Sequence, residues 1–269
     1  MTFSTLEPRA ANPKSSQWKL WIYTNYDCNI KCSYCVAESS PRAPRRAIGL
    51  DNVKRLVDEA AALNFSHLFF TGGEPFLLPD IYEMLAYSSA HAPTTVLTNA
   101  MILRGARLDK LSAIKNDNLL VQVSLDGARA EDHDAYRGAG TWAKTIEGLK
   151  LLQERGFRVR LGTTETPANS ARLGELCDFH RSLGIPNEDH FVRPLARRGF
   201  SNEGLELGML NLEPELTVNV DGVFWHPLST DADMQVSCKI FPLATAVERV
   251  QTQLETIART GTAPLMAFT

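Results

Sequence analysis

Six short apolar runs recur along the chain with helical patterns between them, and that alternation limits the folds open to it. The candidate strands cover residues 19–24, 67–71, 94–98, 119–125, 158–163 and 190–194. Between them lie five segments whose apolar residues recur every three or four positions, the mark of one buried helix face. Val53, Leu56, Val57, Ala60 and Leu63 trace one such face. Trp142, Ile146, Leu149 and Leu152 trace another, which ends near Gly156 as a C-cap. A third runs over 173–183 and is stopped by Gly184 and Pro186. Strands alternating with helices specify a parallel sheet with helical crossovers. Periodicity leaves both a partial barrel and an open doubly wound sheet standing. In either, the working face lies at the C-terminal ends of the strands.

Those ends carry the polar residues. The first strand runs into Cys28-Asn-Ile-Lys-Cys32-Ser-Tyr-Cys35, and the second into Thr71-Gly72-Gly73-Glu74-Pro75. The third ends in Thr98-Asn99 and the fourth in Ser124-Leu125-Asp126-Gly127. The fifth ends in Thr163-Thr164-Glu165 and the sixth in Arg193-Pro194. Six such ends predict one composite site. Its three clustered thiols are one ligand short of a closed tetrahedral zinc site. They suit a four-iron cluster with one iron left without a protein ligand, open to a small molecule. Zinc would need a fourth ligand; Asp27 is too close in sequence to supply it easily, and no histidine follows nearby. Gly72 and Gly73 let the backbone approach a ligand closely, and Pro75 fixes the exit.

The other two cysteines read differently. Cys177 shares a helical pattern with Leu173, Leu176 and Phe179 and is expected to be a packed core thiol. Cys238 is isolated and expected to be structural or solvent-facing. Five cysteines, three of them clustered, do not form a disulfide framework, so a reducing cytoplasm is expected. The net charge of −3 offers no field for nucleic acid or an anionic membrane. No apolar run approaches the ~18 residues of a membrane span, and the polar first residues lack a signal peptide's pattern.

Cys28, Cys32 and Cys35 in Cys-x3-Cys-x2-Cys order, with Tyr34 before the last, followed downstream by Gly72-Gly73-Glu74-Pro75, resemble the radical SAM superfamily. The likeness runs from about Trp18 to Arg198. It implies an α/β fold, a partial (β/α)6 TIM-like barrel, and one [4Fe-4S] cluster held by Cys28, Cys32 and Cys35. The fourth position on that cluster would take the amino and carboxylate groups of S-adenosyl-L-methionine. One electron would then cleave a C–S bond, and the 5'-deoxyadenosyl radical would abstract a hydrogen from a peptide or small-molecule substrate. A reductase such as flavodoxin or ferredoxin is implied as partner. The same likeness makes Tyr34, Gly72, Gly73, Glu74, Asn99, Ser124, Arg137 and Glu165 the cofactor-binding residues. Arg137 would meet the carboxylate, for which a guanidinium is suited. On their own, Arg137 can also be an ion-pair partner of Asp134, Asp126 a cap of the next segment, and Asn99 a turn residue.

Ser124-Leu125-Asp126-Gly127, then His133-Asp134 and Arg137-Gly138, resemble the SPASM/twitch branch of that superfamily. The chain departs from the branch after the barrel, where only Cys238 remains beyond residue 200. One thiol cannot hold an auxiliary cluster, so one cluster is expected. The expected division is an N-terminal arm over 1–16, the core over 17–198, a degenerate SPASM/twitch-like cap over 199–258 and a tail over 259–269. In the cap, runs at 215–220 and 223–226 flank Asp221-Gly222, a hairpin turn signal, and a last helix covers about 243–257. Arg42, Arg45, Arg46, Arg197 and Arg198 fall near the expected rim and could draw in an anion. His67, His91 and His180 are expected to be structural; His190 and His226 lie nearer substrate ground. Two other functions stay open: a catalytically inactive cluster-binding homologue acting as a scaffold, and a zinc-binding domain.

Overall fold

Residue parity along the strands decides which side chains face which layer. The computed structural model describes residues 18–209 and 212–259; the arm expected over 1–16 and the tail from 260 onward lie outside them. Six strands, β1 (Lys19–Tyr23), β2 (His67–Thr71), β3 (Thr94–Thr98), β4 (Leu119–Ser124), β5 (Val159–Glu165) and β6 (His190–Pro194), pair in parallel in sequence order. Leu20, Ile22, Leu68, Phe70, Val96, Val121, Val123 and Leu161 point to one side and join the main core with the helices. Trp21, Phe69 and Leu97 point to the other and form their own small cluster. Trp21 and Phe69 are register partners with rings stacked at 4.2 Å. Residues from the ends of all six strands line a single cavity, so the sheet curls into a partial barrel with that second face inside. β6 pairs only with β5 and leaves the barrel open.

The crossovers are α1 (Leu50–Ala62), α2 (Ile81–His91), α3 (Ala106–Ala113), α4 (Ala130–Arg137), α5 (Thr141–Glu154) and α6 (Leu173–Ser182). That is six helices where five were expected, because two lie between β4 and β5. Gly138 and Gly140 adopt φ of 104° and 74° and end the first of them. Asp134 then caps the second, accepting from the backbone of Gly140 and Trp142 (2.6 and 2.8 Å) and from the Thr141 hydroxyl (3.0 Å).

Beyond the barrel, β7 (Leu216–Asn219) pairs in parallel with β1, and β8 (Gly222–Phe224) and β9 (Gln235–Ser237) continue antiparallel. The hairpin therefore extends the sheet on the far side of β1. Its turn residues are Val220 and Asp221, since Asn219 pairs with Gly222. The shift from the expected Asp221-Gly222 turn has a cause: the Asn219 side chain accepts from the amides of Asp221 and Gly222 and closes the turn early. The last helix, α7 (Leu243–Arg259), packs beside α1, where the Glu59 carboxylate accepts from the Leu243 amide at 2.7 Å. Of this appended unit, Pro227 and Leu228 reach the cavity.

Candidate active site

The loop after β1 is held from three sides, and each hold explains a piece of sequence. Gly72 and Gly73 press the β2 turn against it. A Cβ on Gly72 would lie 2.4 Å from the Asn25 carbonyl, and one on Gly73 2.0 Å from that of Asp27. The Gly73 and Glu74 amides donate to those same two carbonyls at 2.8 and 3.0 Å. The glycines thus serve the approach of one backbone to another as well as a face to the cavity. From the opposite flank, the Phe200 amide donates to the Cys35 carbonyl, and Gly199 packs where a Cβ would sit 2.2 Å from that oxygen. From α4, the Tyr136 carbonyl accepts from the Ser33 amide at 2.8 Å.

So braced, the loop delivers Cys28, Cys32 and Cys35 to the floor of a cavity of about 140 Å³. Cys28 is buried and the other two are half-buried. Burial, with the Glu74 charge adding to it, pushes the Cys28 thiol up to about 12. Burial does the same at Cys32, to about 12, against the opposing pull of Arg137. A metal group here must displace those protons on binding. Polar hydrogens already face the sulfurs: the Ser39 amide donates to Cys35 Sγ at 3.4 Å and Asn99 Nδ2 to Cys28 Sγ at 3.9 Å.

The expected cofactor residues divide on inspection. Tyr34, Gly72, Gly73, Asn99, Ser124 and Arg137 line the cavity with the three cysteines. Glu74 and Glu165 do not. The Glu74 carboxylate is fully buried and accepts from the Thr98 hydroxyl (2.8 Å), the Asn99 amide (2.9 Å) and the Phe76 amide (3.2 Å). Burial raises its carboxyl to about 7 even against those donors. Glu74 thus ties the β2 turn to the end of β3 and is a positioning residue. At the end of β5 it is Thr164, of inward parity, that reaches the cavity in place of Glu165.

Arg137 is buried, and its partner is Asp126, not Asp134. The guanidinium Nε donates to Asp126 Oδ2 at 2.6 Å, and the Tyr34 hydroxyl donates to the same carboxylate. The Thr164 amide completes the set at 3.0 Å. Burial, the largest single influence, would raise the Asp126 carboxyl, but the Arg137 charge, His133 and the hydrogen bonds from Arg137 and Tyr34 together hold the group below its ordinary value. Asp126 is therefore no helix cap; it locks Tyr34 and Arg137 at the cavity wall. Arg193, placed by the sequence at the sixth strand end but given no cofactor role, lines the cavity from β6. Parity with the inward residues of that strand is the signal that finds it. At the rim, Arg46 pairs with Asp221, Arg197 with Glu206, and Arg198 with Asp231 and Asp233. The expected basic draw at those positions is neutralised.

The donor set fits the implied iron–sulfur cluster. Three sulfurs share the cavity, and among the described residues its lining holds no histidine, aspartate or glutamate that could complete a zinc site. Two arginines, several hydroxyls and an amide surround them, which suits a ligand carrying a carboxylate.

Comparison with known proteins places the chain in a family. The family model of the radical SAM superfamily matches residues 22–168. An AdoMet-dependent heme synthase of Methanosarcina barkeri is 30% identical over 194 residues, which is 71% of this chain and 54% of that protein. The mycofactocin maturase MftC of Mycobacterium tuberculosis is 31% identical over 179 residues, 66% of this chain and 45% of that one. The chain spans about half the length of the curated relatives it matches. Streptococcus suis SuiB, solved with its precursor peptide SuiA, superposes with a TM-score of 0.59 at 18% identity over 94% of this chain and 49% of its own. Native anSMEcpe, solved with bound AdoMet and the Kp18Cys peptide, gives a TM-score of 0.68 at 15% identity over 88% of this chain and 82% of its own. The family match covers the three cysteines, the Gly-Gly-Glu-Pro turn and the Asp126–Arg137 pair, and on it the chain belongs to the radical SAM superfamily.

Proposed function

We propose that this chain reductively cleaves S-adenosylmethionine at one [4Fe-4S] cluster and takes a hydrogen atom from a peptide or small-molecule substrate. One observation carries the proposal: three cysteine sulfurs share a cavity whose lining supplies no fourth ligand. Cys28, Cys32 and Cys35 would hold the cluster, and Arg137, Ser124 and Asn99 would seat the methionyl end of the cofactor. When bound, the two groups together supply one-electron C–S cleavage and hydrogen abstraction. The protein's own part is positioning and the exclusion of water. Trp21, Leu97, Ile30 and Val36 give the cavity apolar walls. The buried Asp126 carboxylate orients Arg137 and Tyr34 without a mobile counter-ion.

A peptide substrate is the favoured class, because SuiB and anSMEcpe were each solved with a peptide. A flavodoxin- or ferredoxin-type reductase would supply the electron, in the cytoplasm. Among the described residues no helix is long and apolar enough to cross a membrane. An inactive, cluster-binding scaffold is the second reading, motivated by the lone exposed Cys238 in the appended unit. Anaerobic reconstitution with dithionite and S-adenosylmethionine separates the two. The proposed enzyme forms 5'-deoxyadenosine, and Cys32→Ala abolishes it. Iron incorporation without any cleavage, with cell extract supplied, favours the scaffold. Deoxyadenosine formation by the Cys32→Ala protein contradicts the ligand assignment.

A further inference from the structure

A second group of metal-ligating side chains lies away from the cavity, where α6 covers the edge strand β6. Cys177 and His180 are three apart on α6 and so share one helix face. His190 opens β6, and its parity is opposite to that of Arg193, which lines the cavity. It therefore points outward, toward α6. The Cys177 sulfur and one ring nitrogen from each histidine all lie within 4.8 Å of one another.

The hydrogen bonds around these rings decide which nitrogens are available. His180 Nδ1 lies 2.8 Å from the Ile185 carbonyl, which can only accept. Nδ1 therefore carries the proton, and Nε2 is left with a lone pair. That Nε2 is buried, on a side chain with no solvent exposure, and has no hydrogen-bond partner. His190 Nε2 lies 2.8 Å from the Thr163 hydroxyl. Thr163 spends its own hydrogen on the Leu125 carbonyl at 2.6 Å, so it accepts from the ring. The lone pair of His190 is then on Nδ1, which faces Cys177 Sγ at 4.0 Å. Both imidazoles are thus fixed, by groups behind them, in a tautomer that leaves one ring nitrogen with a free lone pair. Metal-binding histidines are held in this way. An orphaned buried nitrogen is costly in a packed core, and a metal ion accounts for it.

We propose that Cys177, His180 and His190 form a zinc site that fastens α6 to β6. One thiolate and two neutral imidazoles match the ligand preference of Zn2+. Ligand atoms on tetrahedral zinc stand roughly 3.4–3.6 Å apart, so from separations within 4.8 Å binding requires contraction by at most roughly 1.4 Å. Cys177 and His190 are half-buried, so the cluster is reached by solvent, and water would supply the fourth ligand. The ion would brace the one barrel strand that has a neighbour on a single side. Cys177 was expected to be a packed thiol and His180 structural; the Cys-x2-His spacing on one helix was the available sequence signal.

The test uses the full chain with its cluster reconstituted, so that Cys28, Cys32 and Cys35 are occupied. It is treated with a weak chelator, supplied with zinc, and examined by metal analysis and zinc X-ray absorption. The expected result is one zinc per chain with one sulfur and two imidazole nitrogens in its first shell. Cys177→Ser should lose that zinc while its iron content stays at the wild-type level. Thr163→Val, which frees the His190 ring, should weaken zinc binding by about 10–100-fold. No bound zinc in the wild type overturns the proposal, as does zinc with three sulfurs or an unchanged zinc content in Cys177→Ser.

Discussion

Arg137 and Asp126 place two charges almost wholly out of water, and their geometry makes each dependent on the other. Removing one partner of a buried pair leaves an uncompensated charge, at a cost of about 3–5 kcal/mol. Arg137→Ala should therefore lower the stability read by urea unfolding by that amount, in addition to its effect on cofactor binding. A loss under ~1 kcal/mol would show the pair to behave as a surface bridge does. His226 makes a second residue-scale prediction. In the unfolded chain its ring takes a proton near 6.5; in the fold, burial and then the Lys19 charge hold it to about 3. Over that window the unfolded state binds more protons, so stability is full above 6.5 and falls as pH falls. The slope reaches roughly 1.4 kcal/mol per pH unit for one such group. His226→Asn keeps an acceptor for the Leu228 amide, which donates to the ring at 3.0 Å, and should flatten that slope in unfolding curves between pH 6.5 and 4. The cysteines were visible in the sequence by spacing, and Arg137 only through the family resemblance. Arg137's partner was not, because Asp126 and Asp134 are both nearby acids and only the fold around the β4 turn chooses between them.

At the scale of elements, the contact between the β2 turn and the cysteine loop carries the most weight. Gly73→Ala would drive a Cβ into the Asp27 carbonyl. The turn and loop must then separate, and iron incorporation on anaerobic reconstitution should fall several-fold while the far-ultraviolet circular dichroism is kept. Wild-type iron content in that variant would show the contact to be slack. The α4–α5 break is a second case. Asp134→Ala removes the cap of α5 and should cost about 1 kcal/mol in urea unfolding. Six strands were legible because parallel strands buried on both faces read as apolar runs. The extra helix was not, since α4 is short and its apolar residues are few. The hairpin was legible but its turn was displaced by one residue, for want of knowing that Asn219 would cap it.

For the whole molecule, the arrangement of the appended unit differs most from what spacing suggests. A hairpin and helix after a barrel read as a cap. Instead β7 joins the sheet beside β1, and only the segment after β8 reaches the cavity. Parallel pairing between strands so far apart in sequence leaves no local signal. The site itself was largely legible, because the strand ends that carry polar residues are the ends the curled sheet brings together. Its central claim is that three protein thiolates leave one iron open for S-adenosylmethionine. The most direct measurement is the electron paramagnetic resonance spectrum of the reduced, reconstituted protein with and without S-adenosylmethionine. The spectrum should change its g-values on addition of the cofactor, and Arg137→Lys should weaken that response. A reduced cluster whose spectrum is indifferent to S-adenosylmethionine, or a colourless protein holding zinc at these cysteines, would contradict the claim.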